Sequence, residues 1–182
     1  MRKSASTVIK SIILILLLAG CASTPKEETI FELILQGKYE EAKSRFKTKT
    51  DINASDEDGN TALHLAAKVN EADLASFLII KGADTEIRNK AGDTALHVAV
   101  KNDSIDAAKV LAIVHGNIFA KDASGNMALE LALAKGDNWY DAMITRQTGE
   151  VRDENGQSIV HYFVKTRDEK AIEKCIQVGI PL

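Results

Sequence analysis

Three of the four histidines in this 182-residue chain stand in similar sequence surroundings, a pattern that could serve a metal ion or a catalytic base. His64 lies in the segment ALHLAA, His97 in ALHVAV and His161 in IVHYFV. Neutral imidazole binds transition metals and takes up protons near neutral pH. A shared metal site would require these rings to converge to within about 2 Å of one ion. Whether they converge depends on the elements that carry them.

Those elements form an internal repeat. Gly59 opens GNTALHLAA, Gly92 opens GDTALHVAV, Gly125 opens GNMALELAL and Gly156 opens GQSIVHYFV, at spacings of 33, 33 and 31 residues. A fixed period in this range indicates stacked supersecondary units. Packed helices lie about 8–10 Å apart, so equivalent histidines are too distant to bind one ion. We interpret them as structural residues that form hydrogen bonds across a hairpin connection, and expect no metal.

Two possible nucleophiles lead to no catalytic site either. Ser158 lies near His161, but no third group orients this base and no oxyanion site is evident. The glycines recur at the repeat period and do not cluster into a phosphate-binding loop. Cys175 shares a helical stripe with Ile172 and Ile176, which favours a small buried apolar residue, with a reactive thiol as the alternative. We therefore predict a protein that is not an enzyme and has no cofactor.

Each repeat is predicted to form two helices joined by a tight turn. Thr61 and Thr94 stand where a hydroxyl caps the first helix. Asn70 and Asp103 stand where the left-handed conformation is tolerated between helices. The segments TALHLAA and TALHVAV resemble ankyrin repeats, whose T-P-L-H-x-A signature has this period, with Ala in the place of Pro. The resemblance implies an all-α ankyrin-repeat solenoid of helix-turn-helix units with short hairpin loops.

The register extends to both ends and predicts about five units with degenerate ends, in a domain over residues 29–182. The first unit begins at Ile30, and its second helix is expected near residues 38–47. The last unit ends with a second helix over residues 168–177. Terminal repeats are atypical because one face has no neighbour.

Two units depart from the signature. The unit after Gly125 has Met127 for Thr and Glu130 for His, and its second helix and turn are two residues shorter. The unit after Gly156 has Tyr162, Phe163 and Val164 where a hydrophobe and two small residues are expected. Such bulk would either force this helix away from close packing or let it close the stack as a lid.

The amino-terminal segment has a different character. Arg2, Lys3 and Lys10 precede an apolar stretch over residues 12–19, which is the order of charge and hydrophobe in a secretory signal. The stretch is too short to span a bilayer, which takes roughly 20 helical residues. It ends in Leu18-Ala19-Gly20-Cys21, which resembles the lipobox of bacterial lipoproteins; the alternative is an ordinary signal with an incidental cysteine.

The lipobox resemblance implies a processed and anchored product. Residues 1–20 would be the signal peptide that is removed, and residues 21–28 the lipidated amino terminus and tether. Acyl chains on Cys21 would supply stable anchoring, since two chains hold a protein far better than one. Ala22 follows the cysteine, where an Asp tends to retain such proteins in the inner membrane. We therefore expect a bacterial cell-envelope lipoprotein at the outer membrane.

Composition limits the kinds of partner that the protein is expected to bind. The formal net charge of −3 gives no electrostatic reason to expect nucleic acid, and two cysteines alone supply too few ligands for a four-coordinate zinc site. The ankyrin resemblance implies that an unidentified protein partner binds the hairpin tips and the exposed side of the first helices, although solvated charge is the alternative meaning of these positions. The candidate residues are Glu57, Asp58, Asn60, Lys68, Lys90, Asp93, Lys101, Ser124, Asn126, Glu154, Asn155 and Gln157.

The function expected from the sequence is that of a membrane-anchored bacterial lipoprotein serving as a non-catalytic protein–protein interaction module. One alternative is an inhibitory or immunity-type partner that neutralises an envelope enzyme. Another is a structural lipoprotein that links the membrane to a second envelope component. Sequence reasoning leaves the partner unnamed, because repeat scaffolds carry specificity in their surface residues.

Overall fold

The protein is an all-helical stack in a computed structural model that describes residues 28–46, 52–114 and 116–181. These residues form ten α-helices and no strand. In chain order the helices are α1 (Ile30–Leu35), α2 (Tyr39–Arg45), α3 (Ala62–Lys68), α4 (Ala72–Ile80), α5 (Ala95–Lys101), α6 (Ile105–Ile113), α7 (Ala128–Leu133), α8 (Asp137–Met143), α9 (Ile159–Thr166) and α10 (Glu169–Gln177). A short 3₁₀ turn, Thr148–Glu150, follows α8.

The helices pair as five consecutive helix-turn-helix units, which we number 1 to 5 from the amino terminus. The first helices pack in one row, α3 against α5 and α5 against α7, while the second helices α4, α6 and α8 pack in a parallel outer row. Each of units 2 to 5 is preceded by a hairpin tip, which we give the number of its unit: tip 2 (residues 56–60), tip 3 (89–93), tip 4 (122–126) and tip 5 (153–157). This arrangement confirms the predicted ankyrin-repeat solenoid and the helices predicted at both of its ends.

Small side chains allow the rows to pack closely. Ala66 and Ala67 of α3, Ala99 of α5 and Ala132 of α7 are fully buried between neighbouring helices. Larger residues, such as Leu74 of α4, fill the space between the two rows. Short side chains bring helix axes together without voids, and interiors tolerate few voids. These alanines therefore lie in the core.

The turns inside the units have left-handed backbone conformations. Asn70 and Asp103 have φ values of 55° and 58°, as predicted, and Gly136 of unit 4 has φ 113°. Arg167 occupies the same position in unit 5 with φ 57°, where its side chain makes this conformation less favourable than Asn or Gly would. The shortening predicted for unit 4 is also confirmed, because α8 has seven residues whereas α6 has nine.

Unit 5 packs differently from the rest. Its inner helix α9 lies much less closely against α7 than α7 lies against α5, while the outer helices α8 and α10 remain in contact. Phe163 is fully buried, but Val164 is 60% exposed and Ile176 is 57% exposed. The bulky residues of α9 thus separate the inner helices, the first of the two arrangements that the sequence allowed.

None of the helices in residues 28–46, 52–114 and 116–181 is long and apolar enough to cross a membrane. Cys21, the predicted signal peptide over residues 1–20 and most of the predicted tether lie outside the described residues. These predictions therefore stay predictions.

Candidate functional site

Each hairpin tip is built around one side chain that stands three residues before the repeat glycine. In tip 2, Asp56 Oδ1 accepts hydrogen bonds from the backbone N–H groups of Asp58 at 2.9 Å and Asn60 at 2.8 Å. Equivalent pairs of bonds fix the other tips, and their acceptors are Asn89 in tip 3, Asp122 in tip 4 and Asp153 in tip 5. Such Asx turns give each tip a defined backbone shape.

Sequence reasoning missed these four acceptors, although a signal was present. An Asp or Asn precedes each of the four repeat glycines by three residues, which places it at the same point of every unit. The side chains between this acceptor and the glycine, such as that of Asp58, are exposed to solvent. The tips are therefore rigid supports for exposed residues.

His64 joins unit 2 to the next tip. Its Nδ1 atom accepts the backbone N–H of Thr61 at 3.1 Å, which leaves the proton of the neutral ring on Nε2. Nε2 lies 3.0 Å from the carbonyl oxygen of Asp93 in tip 3 and donates to it. Burial lowers the pKa of His64 and so favours this neutral ring. The interpretation of a structural histidine that bonds across the connection is confirmed here.

The same connection recurs one unit later and then stops. His97 accepts the N–H of Thr94 at 3.3 Å and lies 3.2 Å from the carbonyl oxygen of Asn126 in tip 4. The residue at this position of unit 4 is Glu130, which has no ring to continue the series. His161 of unit 5 caps its own helix through Ser158 and is exposed. Among the described residues, no group of three potential ligands is placed to hold a metal ion.

Lys101 connects tips 3 and 4 from the end of α5. Its Nζ atom lies 2.6 Å from Asp93 Oδ1 and 3.0 Å from Asp122 Oδ2. The hydrogen bond from Lys101 keeps the pKa of Asp122 well below its usual range. Two carboxylates that are 6% and 8% exposed thus share one ammonium group.

The preceding pair of tips has an uncharged version of this connection. Asn60 and Asn89 stand 33 residues before Asp93 and Asp122, and Asn89 Nδ2 donates to Asn60 Oδ1 at 2.9 Å. Lys68, the equivalent of Lys101, is exposed. Amide side chains therefore connect tips 2 and 3, whereas charged side chains connect tips 3 and 4 at the equivalent positions.

The structure places most of the predicted partner-binding residues on one accessible row of tips and inner helix ends. The exposed ones are Glu57, Asp58, Lys68, Lys90, Lys101, Ser124, Asn126, Glu154, Asn155 and Gln157, and Asn60 is half-buried. Asp93 differs because it is buried and held by Lys101. The structure brings these side chains onto one surface, and their role in binding stays a prediction.

Tight stacking of the tips ends before unit 5. A Cβ atom on Gly59 would lie 3.0 Å from the backbone N of Lys90, and one on Gly92 would lie 2.8 Å from the backbone N of Ala123. A Cβ on Gly125 would meet nothing within 4 Å. Tips 2, 3 and 4 thus stack closely on one another, whereas tip 5 makes no such close approach to Gly125.

These features define a helical-repeat protein whose rigid row of tips forms an elongated surface. The model of a known family, ankyrin repeats (three copies), matches residues 16–122 and 66–142. The matches span more than half of the chain, which therefore belongs to the ankyrin-repeat family. No curated protein matches it. Ankyrin repeats are typical of protein–protein interaction modules, which agrees with a surface built for contact.

Proposed function

We propose that this protein is a lipid-anchored lipoprotein of a bacterial envelope, and that it binds a protein partner through its row of tips without catalysing a reaction. One observation carries the binding part of the proposal. The backbone of every tip is fixed by internal hydrogen bonds, whereas side chains such as Glu57, Asp58 and Lys90 are exposed. A surface that is ordered before binding loses little conformational entropy when a partner binds.

The anchoring part of the proposal depends on the lipobox-like segment that ends at Cys21. Acylation there would hold the stack at the outer membrane, a few polar residues from the surface. The partner would then be a protein of the same compartment. This function has two more specific forms. In one, the stack neutralises an enzyme of the envelope; in the other, it links the membrane to a structural component.

Crosslinking followed by affinity purification from the native envelope tests the binding part. We expect one protein to be recovered in stoichiometric amount with the full-length chain. The double variant Glu57→Lys and Asp58→Lys reverses charge at an exposed tip and is expected to weaken the complex by at least about tenfold, as charge reversal at an interface costs several kcal/mol. A matched control is Glu173→Lys, which reverses an exposed charge on the outer helix α10.

The two variants separate binding from folding. Both should keep the helical circular-dichroism signal of the parent chain. Equal recovery of the partner with the tip variant and the control would refute the tip surface, and recovery of polysaccharide or lipid alone would refute the protein partner. Loss of an enzymatic activity on addition of the purified chain would identify the inhibitory form of the function.

Metabolic labelling with a radioactive fatty acid tests the anchor. The chain has two cysteines, so Cys175→Ser is a matched control for Cys21→Ser. We expect the label and the membrane association to be lost in Cys21→Ser and retained in Cys175→Ser. A labelled Cys21→Ser chain, or an unlabelled parent chain, would refute the lipoprotein assignment.

A further inference from the structure

The gap between the inner helices of units 4 and 5 forms a cleft. Its volume is about 360 Å³, and it opens between the ends of α7 and α9 and beneath tips 4 and 5. A volume of this size is at the lower end for small-molecule and side-chain pockets. The cleft is lined by Phe119, Lys121, Met127, Glu130, Asp153, Glu154, Asn155, Gln157, Ser158, Tyr162, Lys165 and Thr166.

The opposite side of the same joint is firmly connected. On the outer helices, Lys170 forms an ion pair with Asp137, and Lys174 forms one with Asp141. Tyr140 of α8 donates a hydrogen bond to Asp168 at 3.0 Å. These contacts link α8 to the start and middle of α10 around a smaller cavity of about 230 Å³. The inner cleft is lined in part by residues of tip 5, such as Glu154 and Asn155, so it faces the same side as the row of tips.

The floor of the cleft is apolar and its walls are partly acidic. Phe119 is 8% exposed, and Met127 and Tyr162 are half-buried beside it. Three carboxylates and two ammonium groups line the walls, and one of these ammonium groups, on Lys121, lies 3.7 Å from Glu154. The lining thus has a net negative charge above an apolar and aromatic floor.

Glu130 is the carboxylate best placed to receive a ligand. Its Oε1 atom accepts the hydroxyl of Tyr162 at 3.2 Å, and its Oε2 atom accepts the backbone N–H of Met127 at 3.2 Å. A carboxylate has about four acceptor positions, so one position on each oxygen is used by these contacts. Asp153, in contrast, already holds the backbone of tip 5.

We propose that this cleft binds a basic side chain, above all an arginine, of the protein partner. The apolar floor fits the aliphatic stem of the side chain, and the Tyr162 ring offers a face to a guanidinium group. The Glu130 carboxylate can then accept the planar guanidinium in a geometry that a single ammonium group does not match. The inference rests on the proposed interaction function, because it names the kind of residue that the partner inserts at this end of the row.

Methionine methyl signals offer a direct readout. The chain has three methionines, of which Met127 lies in the cleft and Met143 is fully buried. The full-length chain, labelled with ¹³C at the methionine methyl groups and held in detergent, is titrated with Nα-acetyl-L-arginine amide. We expect a saturable shift of the Met127 signal in the millimolar range, about 1–10 mM, as fits a ligand of this size. The Met143 signal should stay in place.

Comparison ligands and variants test whether the cleft selects an arginine side chain. Nα-acetyl-L-leucine amide and Nα-acetyl-L-glutamate amide should bind at least about tenfold more weakly, since each lacks the charge-assisted hydrogen bond. Glu130→Gln should weaken arginine amide by about tenfold, and Tyr162→Leu should weaken it because the ring is lost. The control Glu173→Gln changes an exposed residue of the outer helix α10 and should leave the titration unchanged.

Several outcomes would overturn the cleft site. These are an equal Met127 shift with the leucine or glutamate derivative, an unchanged titration in both Glu130→Gln and Tyr162→Leu, or no Met127 shift at any concentration. The cleft site and the proposed function can be refuted independently of each other. If a partner is captured equally well by Glu130→Gln but poorly by the tip variant, the interaction function stands and the cleft inference falls. If arginine amide binds as expected and no partner is captured, the cleft stands and the proposed function falls.

Discussion

The Nε2 atom of His64 lies 3.0 Å from the main-chain oxygen of Asp93, so a side chain of one unit is bonded to the tip of the next. His97 and Asn126 repeat this relationship at 3.2 Å. Both rings also accept an N–H from their own helix cap. Because each neutral ring bonds in two directions, the first helices and the tips are fixed relative to one another.

Acidification should weaken these connections. The pKa values of His64 and His97 are lowered from an ordinary value of 6.5, mainly by burial, so below about pH 6.5 the unfolded chain binds more protons than the folded one. Their contribution to stability is therefore complete above that pH and is lost as the pH falls towards the folded pKa values. We expect the free energy of unfolding in urea to fall between about pH 7.5 and pH 5.

Glutamine at both positions gives a matched test of this pH dependence. Glutamine can still accept the cap N–H but does not titrate. The double variant His64→Gln and His97→Gln should show a flatter pH dependence than the parent chain, because the two rings whose pKa burial lowers are gone. Parallel curves for the double variant and the parent would contradict this account.

Removal of the shared ammonium group should destabilise the stack. Lys101→Ala leaves the buried carboxylates of Asp93 and Asp122 without their common partner, and we expect a loss of about 1–2 kcal/mol in the free energy of unfolding. The control Lys68→Ala changes the equivalent residue of unit 2, where amides bridge the tips, and should cost less than about 0.5 kcal/mol. Urea denaturation measures both. Equal costs would show that the charge bridge contributes nothing.

Two glycines with the same backbone conformation should differ in their tolerance of alanine. Gly92 and Gly156 have φ values of +78° and +76°, so each substitution places a side chain in the left-handed region, at about 1 kcal/mol. At Gly92 the new methyl group would also lie 2.8 Å from the backbone N of Ala123, whereas at Gly156 it meets nothing within 4 Å. We expect Gly92→Ala to cost at least about 1 kcal/mol more than Gly156→Ala in urea denaturation. A smaller difference would indicate that the tips shift freely.

Cys175 should be chemically inert in the folded protein. The residue is fully buried, and burial raises the pKa of its thiol to about 11. In the Cys21→Ser chain, we expect an aromatic disulfide reagent at about pH 8 to react at least roughly 100-fold more slowly with the folded than with the urea-unfolded protein, because the thiolate is the reactive form. Equal rates in the two states would favour the reactive-thiol alternative.

Much of the fold could be predicted from local signals. The repeat period located the units, and the turn residues Asn70 and Asp103 have the left-handed conformation that their types favour. Bulky residues in α9 indicated an unusual last joint but left open whether it would close as a lid. Packing decided that question, because Phe163 is buried while Val164 remains exposed.

The candidate surface was predicted only in outline. Spacing placed the residues of each tip, but the pairing of Asp93 with Lys101 depends on two tips and a helix end that are distant in sequence and adjacent in space. The cleft at Glu130 and Tyr162 arises in the same way, since it lies between two units whose separation no single motif encodes.

The sequence by itself determined the family, the number of units and the capping chemistry, because these depend on residue type and spacing over a few turns of chain. The tertiary structure alone decided which charges neutralise one another, which glycines meet a neighbouring backbone and where the stack opens. Those features depend on distances between units, and such distances follow from how side chains pack in three dimensions.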